Sequence, residues 1–175
     1  MKKGIVIFPS EILDRSVSLL KGCGIQRVGL HPAFTDGGEN CVQGMIEQMR
    51  DPAFQKRLQS LRDGGIEIEI EMHAMNWLLP HQQFQAHPEW FRLDEQGSRQ
   101  CDFNCCPSNK EALAFLEERA CELARQLPSP QSHRYFFWID DNGSYCHCDA
   151  CRELSPSDQA MLIYNTILRG IRRVD

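Results

Sequence analysis

The sequence is short of long apolar runs. The one near its start, Ile5 to Phe8 behind Lys2-Lys3-Gly4, stops at Pro9, too soon for a signal peptide or a membrane span. Concentrated positive charge is scarce as well: 19 Lys and Arg against 24 Asp and Glu leave a formal net charge of -5. Arg169, Arg172 and Arg173 form a basic cluster, but cations of that kind are favoured at a helix C-terminus. Nucleic acid and anionic membrane surfaces call for basic patches, so neither is an expected partner. Low-complexity stretches are missing too, which sets aside the disordered and fibrous classes. What is there, 42% hydrophobic and 25% charged residues over 175 positions, is the make-up of a single globular domain, residues 1–175, with a core of its own. Cysteine is plentiful at nine, an odd number. A secreted disulfide scaffold would pair its cysteines, so a reducing, cytoplasmic compartment with metal ligation is the expectation.

Periodicity predicts strand and helix in turn. Ile5–Phe8 is a short apolar run bounded by Gly4 and Pro9, and Ser10 is placed to cap a helix carrying Leu13, Val17 and Leu20 that stops near Gly22. Arg27–Leu30 is a second strand, ending at His31-Pro32. Asp51-Pro52 opens a helix bearing Phe54, Leu58 and Leu61 that ends at Gly64-Gly65. Ile66–His73 alternates Ile with Glu67, Glu69 and Glu71, so one face of this third strand must meet a polar lumen or water. After a long loop, Ser108 and Glu111 read as a capping box for a helix through Leu127. Tyr135–Ile139 is a fourth strand, and Ser155-Pro156-Ser157-Asp158 starts the last helix. The expected fold is α/β: about four βα units, the N-terminal half of a (β/α) barrel of TIM type, since a full barrel takes about 250 residues. Open edges on such a half would invite pairing with a second copy, a homodimer.

The segment from Tyr145 to Cys151 holds Cys146, Cys148 and Cys151 in the spacing C-x-C-x-x-C. Zinc takes four ligands and favours sulfur in structural sites, so a turn with three thiolates needs one more from elsewhere. Cys106, just ahead of the Ser108 helix, is the first choice for it, with Cys105 and His147 as alternatives. Cys23, Cys41, Cys101 and Cys121 read as bystanders. A redox pair of Cys148 and Cys151, or an iron–sulfur cluster, is the competing chemistry.

Over nearly the whole chain the residue order His87-Pro88-Glu89-Trp90-Phe91, Gly97, Cys106-Pro107-Ser108-Asn109, Asp141-Asn142-Gly143 and the three-cysteine turn resembles the bacterial family called domain of unknown function 4838. The resemblance implies a glycoside-hydrolase-like TIM barrel related to the α-glucuronidases. The cysteines are also similar to those of zinc-bearing β-galactosidases, where one upstream Cys and a later cluster close a structural zinc site. That likeness implies Cys106, Cys146, Cys148 and Cys151 as ligands and carbohydrate as partner. In those enzymes the fourth strand ends in Asn-Glu, whereas this chain has Asp140-Asp141-Asn142.

Barrel enzymes carry their reactive groups at the C-terminal ends of strands, which here offer His31, Glu71, His73, Asp140 and Asp141. Glycoside hydrolysis needs two carboxyl groups, one of them protonated. Asp141 is the candidate acid, with Asp140 beside it, because the apolar strand ahead could raise a carboxyl pKa by desolvation. His31 and His73 are candidate sugar contacts. Trp90, in the long loop, is the candidate stacking platform. The expected whole is a carbohydrate-active barrel with structural zinc, or else a non-catalytic carbohydrate-binding or structural module that zinc stabilises.

Overall fold

Gly4–Ile7 forms β1, and a 3-10 turn at Pro9–Glu11 follows it. Glu11 closes that turn by accepting a hydrogen bond from the Phe8 N–H at 2.8 Å. Helix α1 therefore begins only at Asp14 and runs to Gly22, with Ser16 rather than Ser10 holding its first turn: the Leu13 N–H donates to Ser16 Oγ at 2.7 Å. The computed structural model describes residues 2–33, 38–102, 104–129, 133–139 and 144–174.

Strand β2 (Arg27–Leu30) and helix α3 (Pro52–Asp63) lie where the sequence places them, and Asp51 caps α3 by accepting from the Ala53 N–H. Helix α2 (Gly38–Arg50) precedes α3 and was not read from the sequence. Its signal was present, because Val42, Met45, Ile46 and Met49 recur at helical spacing and all are buried. Strand β3 is Glu67–His73 and β4 is Tyr135–Trp138; α6 (Lys110–Gln126) and α7 (Pro156–Ile171) complete the long helices. The long loop holds two single-turn helices, α4 (Met75–Leu78) and α5 (Gln83–Ala86), and a hairpin-like arm bridged at Phe91 with Cys105 and at Leu93 with Arg99.

The four strands make one sheet in the order β1-β2-β3-β4. The β1–β2 and β2–β3 pairs are parallel. The Ile70 N–H donates to Arg134 O and the Ala74 N–H to Trp138 O, a step of four residues on both chains, so β4 runs parallel as well. Strands laid down side by side in chain order, with helical connections between them, follow the barrel scheme and not the reversing order of a doubly wound sheet. The chain divides into two compact units, one mainly of Met1–Met72 and Gln126–Phe136, the other of His73–Arg125 and Phe137–Val174.

In the first unit the alternation of β3 separates oil from charge. Ile68, Ile70 and Met72 are buried in the same core as Val28, Leu30, Phe54, Leu58 and Leu61. On the other face Glu67 pairs with Lys2 and Arg27. Glu69, almost wholly buried, takes Arg27 at 2.7 Å and Arg134 at 3.1 Å. A buried carboxylate is tolerable only with such partners. Glu71 is also buried, yet no cation pairs with it among the described residues. Its carboxyl lies over Gly29, where a Cβ would come within 2.2 Å of Glu71 Oε1. Burial, and then the charge of Glu69, push its pKa up.

A carboxyl of raised pKa keeps its proton in the folded state while the unfolded chain has lost its own, so the stability linked to it is present at low pH and falls as pH rises through the shifted value. Glu71→Gln is expected to melt higher than the parent at about pH 8 and to match it at about pH 4, below the usual glutamate range of about 4.3. A difference in melting temperature that does not change with pH would contradict this.

Candidate metal centre

The second unit brings four sulfurs together. Cys106 follows the Phe91–Cys105 bridge and is fixed by its own backbone: its N–H donates to Trp90 O at 2.8 Å and its carbonyl accepts from the Asn109 N–H at 3.1 Å. The helix that follows is capped by Asn109, whose Oδ1 accepts from the Ala112 N–H at 2.9 Å. The cap expected at Ser108 with Glu111 therefore sits one residue later, at Asn109. Ser108 is released for another task, with its hydroxyl 3.1 Å from Cys151 Sγ.

Cys146, Cys148 and Cys151 lie on the turn between β4 and α7, where the N–H groups of Cys151 and Arg152 both reach Cys148 O at 2.9 Å. The four thiol sulfurs all lie within 4.8 Å of one another. Cys106 Sγ is 3.7 Å from Cys148 Sγ and 3.8 Å from Cys151 Sγ. A disulfide would need about 2.05 Å, and none of the nine cysteines forms one. Zinc–sulfur bonds of about 2.3 Å put sulfurs at the corners of a tetrahedron roughly 3.8 Å apart. The spacing is that of thiolates around one small ion. An iron–sulfur cluster interposes its own atoms and would hold its cysteines wider apart. The donor set thus fits a single tetrahedral metal ion with no open position for water or substrate.

Of the alternatives for the fourth ligand, Cys105 lies outside the group of four, wholly buried, with its thiol pushed up to about 12 by that burial. His147 turns its ring toward Tyr145, 4.4 Å between centroids. Within the four, the contact between Cys106 and Cys146 draws the Cys146 pKa down and drives that of Cys106 up. Burial pushes Cys151 to about 11. Four thiolates in this space would need a cation to neutralise them.

An outer ring of hydrogen bonds sets the geometry. The Leu93 N–H donates to Cys146 Sγ at 3.3 Å, and the His147 N–H to Leu93 O at 2.8 Å. The buried amide of Gln159, on the first turns of α7, accepts from the Cys146 N–H at 2.9 Å and donates to Cys146 O at 2.9 Å and to Cys151 O at 3.3 Å. Gln159 carried no signal in the sequence: a glutamine inside a helix reads as solvent-facing until the fold turns it inward.

The other expected site residues among those described each have contacts of their own. His31 is buried at the end of β2 with Nδ1 2.7 Å from Pro32 O. His73 has Nδ1 3.2 Å from Ile139 O and its ring 5.2 Å from that of Trp138. Trp90 is buried, stacked on His87 at 4.0 Å and tilted against Phe115 at 5.1 Å, so its faces are engaged by the protein. Asp140 and Asp141 lie outside the described residues. Among the described residues no helix is long and apolar enough to cross a membrane.

Comparison with known proteins gives one family: the model of DUF4838, a domain of unknown function, matches residues 45–174. No curated protein matches the sequence. Among solved structures the chain is similar to a β-galactosidase from the psychrophilic Marinomonas ef1, at 16% identity and a TM-score of 0.48 over 77% of this chain and 21% of that one. It is also similar to a β-galactosidase from Bacillus circulans sp. alkalophilus, at 19% identity and a TM-score of 0.47 over 86% of this chain and 22% of that one. The chain spans about a fifth of the length of those enzymes.

Cys148→Ser is expected to release the metal and to cost several kcal/mol of stability, the mark of a lost structural ion. Gln159→Leu keeps all four sulfurs but strands the Cys146 N–H, and should weaken metal binding about 10–100-fold, as loss of an outer-shell partner does. Competition with a chromophoric chelator and thermal melts measure both. Parental zinc affinity in Gln159→Leu would show that the amide does not hold the turn.

Proposed function

We propose the following role for the chain, which belongs to the DUF4838 family: it is a (β/α)-barrel module that acts on carbohydrate, and its metal is a structural zinc ion serving the fold rather than the reaction. The observation that carries the metal half is the mutual spacing of the four sulfurs, all within 4.8 Å, with Cys106 3.7 Å from Cys148 and 3.8 Å from Cys151. A site with four protein thiolates has no position left for a reactive water, so zinc here would contribute folding free energy and rigidity.

The carbohydrate half is supported by the residue order that resembles glycoside-hydrolase-like barrels and by polar groups at the C-terminal ends of parallel strands, where barrel enzymes carry their chemistry. In this reading Asp141, or Asp140 beside it, protonates the leaving oxygen, and His31 and His73 are available to sugar hydroxyls. Glu71 is a further carboxyl whose surroundings favour the protonated form, the state a general acid must hold before it acts.

The test is an assay of the full-length protein on aryl β-galactosides and aryl uronides. Replacing Asp140 and Asp141 together by Ala is expected to lower turnover by about 10²–10⁴-fold, the usual worth of general acid catalysis, while zinc content stays at one ion per chain. Turnover that survives the double substitution would remove these two residues from the chemistry. Sugar binding with no turnover in the parent would favour a non-catalytic binding module.

A further inference from the structure

The turn that supplies the metal ligands presents alternate residues to opposite sides. Cys146 points into the sulfur cluster, while its neighbours Tyr145 and His147 turn away from it and lie ring to ring, 4.4 Å between centroids. These two rings form one wall of a cleft of about 390 Å³, and the bridged arm that begins at Phe91 forms the other, with Arg92, Asp94, Glu95 and Gln100 facing in. Both walls are tied to the metal turn through Leu93, whose N–H meets the Cys146 sulfur and whose carbonyl takes the His147 N–H. A metal ion holding Cys146 in place therefore fixes the width of this cleft without entering it.

The lining defines what would fit. The Arg92 guanidinium is spent on Asp102. The Ser98 N–H, and with it Gln100, holds the Asp94 carboxyl below the usual range, and Glu95 adds a second carboxyl group 3.9 Å from His147 Nε2. The cleft is thus rich in hydrogen-bond acceptors and slightly acidic. It repels an anion and welcomes a neutral group with many hydroxyl donors. Tyr145 adds an aromatic face. A hydroxyl-bearing ring with one apolar C–H face, which is a hexopyranose, matches acceptors on one wall and an aromatic surface on the other.

We propose that this cleft is a subsite for one neutral hexose ring, shaped by the metal turn and lined by Tyr145, His147, Asp94, Glu95 and Gln100. The assignment rests on the carbohydrate reading given above and narrows it, because a uronate carboxylate would be set against Asp94 and Glu95. The sugar touches the wall that zinc stiffens and does not touch zinc.

The test is calorimetric titration of the zinc-loaded full chain with methyl β-D-galactopyranoside and with D-glucuronate, on the parent and on Tyr145→Ala and Gln100→Ala. The galactoside should bind the parent at least about tenfold tighter than glucuronate, and both variants should weaken it by at least about tenfold. Zinc content should stay at the parental value; Gln100→Ala, whose side chain meets Asp94 rather than a ligand sulfur, keeps the test valid if Tyr145→Ala sheds metal. If the parent binds galactoside and Gln100→Ala binds it equally well, the subsite lies elsewhere and the carbohydrate reading stands. If glucuronate binds as tightly as the galactoside, the acidic lining does not select and the proposal fails. If the parent binds neither sugar, the carbohydrate reading falls and this subsite with it.

Discussion

Four thiol groups within 4.8 Å of one another are spaced as ligands of a single metal ion would be. Protonated, they are small, weakly bonding groups in a half-buried turn; ionised, they repel one another at short range in a medium of low polarity. Without an ion the four pull against one another: the contact with Cys106 draws Cys146 down, while that contact and burial push Cys106 and Cys151 up. A divalent ion removes the conflict, since it displaces the remaining protons and turns mutual repulsion into four attractions to a common centre. Much else in the second unit follows from that junction. The bridged arm reaches it through Leu93, helix α6 starts beside it from Asn109, and α7 sends Gln159 back into it.

The junction also explains how a metal without a free coordination position can matter to function. Rigid walls are worth most where a ligand must meet several weak partners at once, because each partner already in place spares the entropy of ordering it on binding. The turn that carries Cys146 carries Tyr145 and His147 as well, so the geometry that satisfies the ion also sets two aromatic rings at the edge of an acceptor-rich cleft.

How much of this was legible beforehand follows from how local each signal is. Asp51-Pro52 and Ser155-Pro156 announce α3 and α7 because a cap and a proline act within one turn, and both helices start there. The Ile and Glu alternation of β3 announced a sheet with one charged face, and the ion pairs of Glu67 and Glu69 realise it. The three-cysteine turn was readable for the same reason: its ligands lie within six positions. Much of what could not be read depends on partners distant in sequence. Ser108 looks like a cap until Cys151 is beside it, and Asn109 takes over one residue later. Trp90 looks like a loop tryptophan open to a sugar until His87 and Phe115 cover its faces. Gln159 gave no hint of the turn it supports, and Ser10 lost its capping role to Ser16 because Pro9 and Glu11 first close a tight turn of their own.

The central claim is that one tetrahedral ion binds these four sulfurs, and X-ray absorption at the zinc edge on the purified chain tests it most directly. The account predicts one zinc per chain with a single shell of four sulfurs at about 2.3 Å and no nitrogen or oxygen neighbour. A shell mixing sulfur with nitrogen or oxygen, or a preparation whose metal is iron, would contradict it.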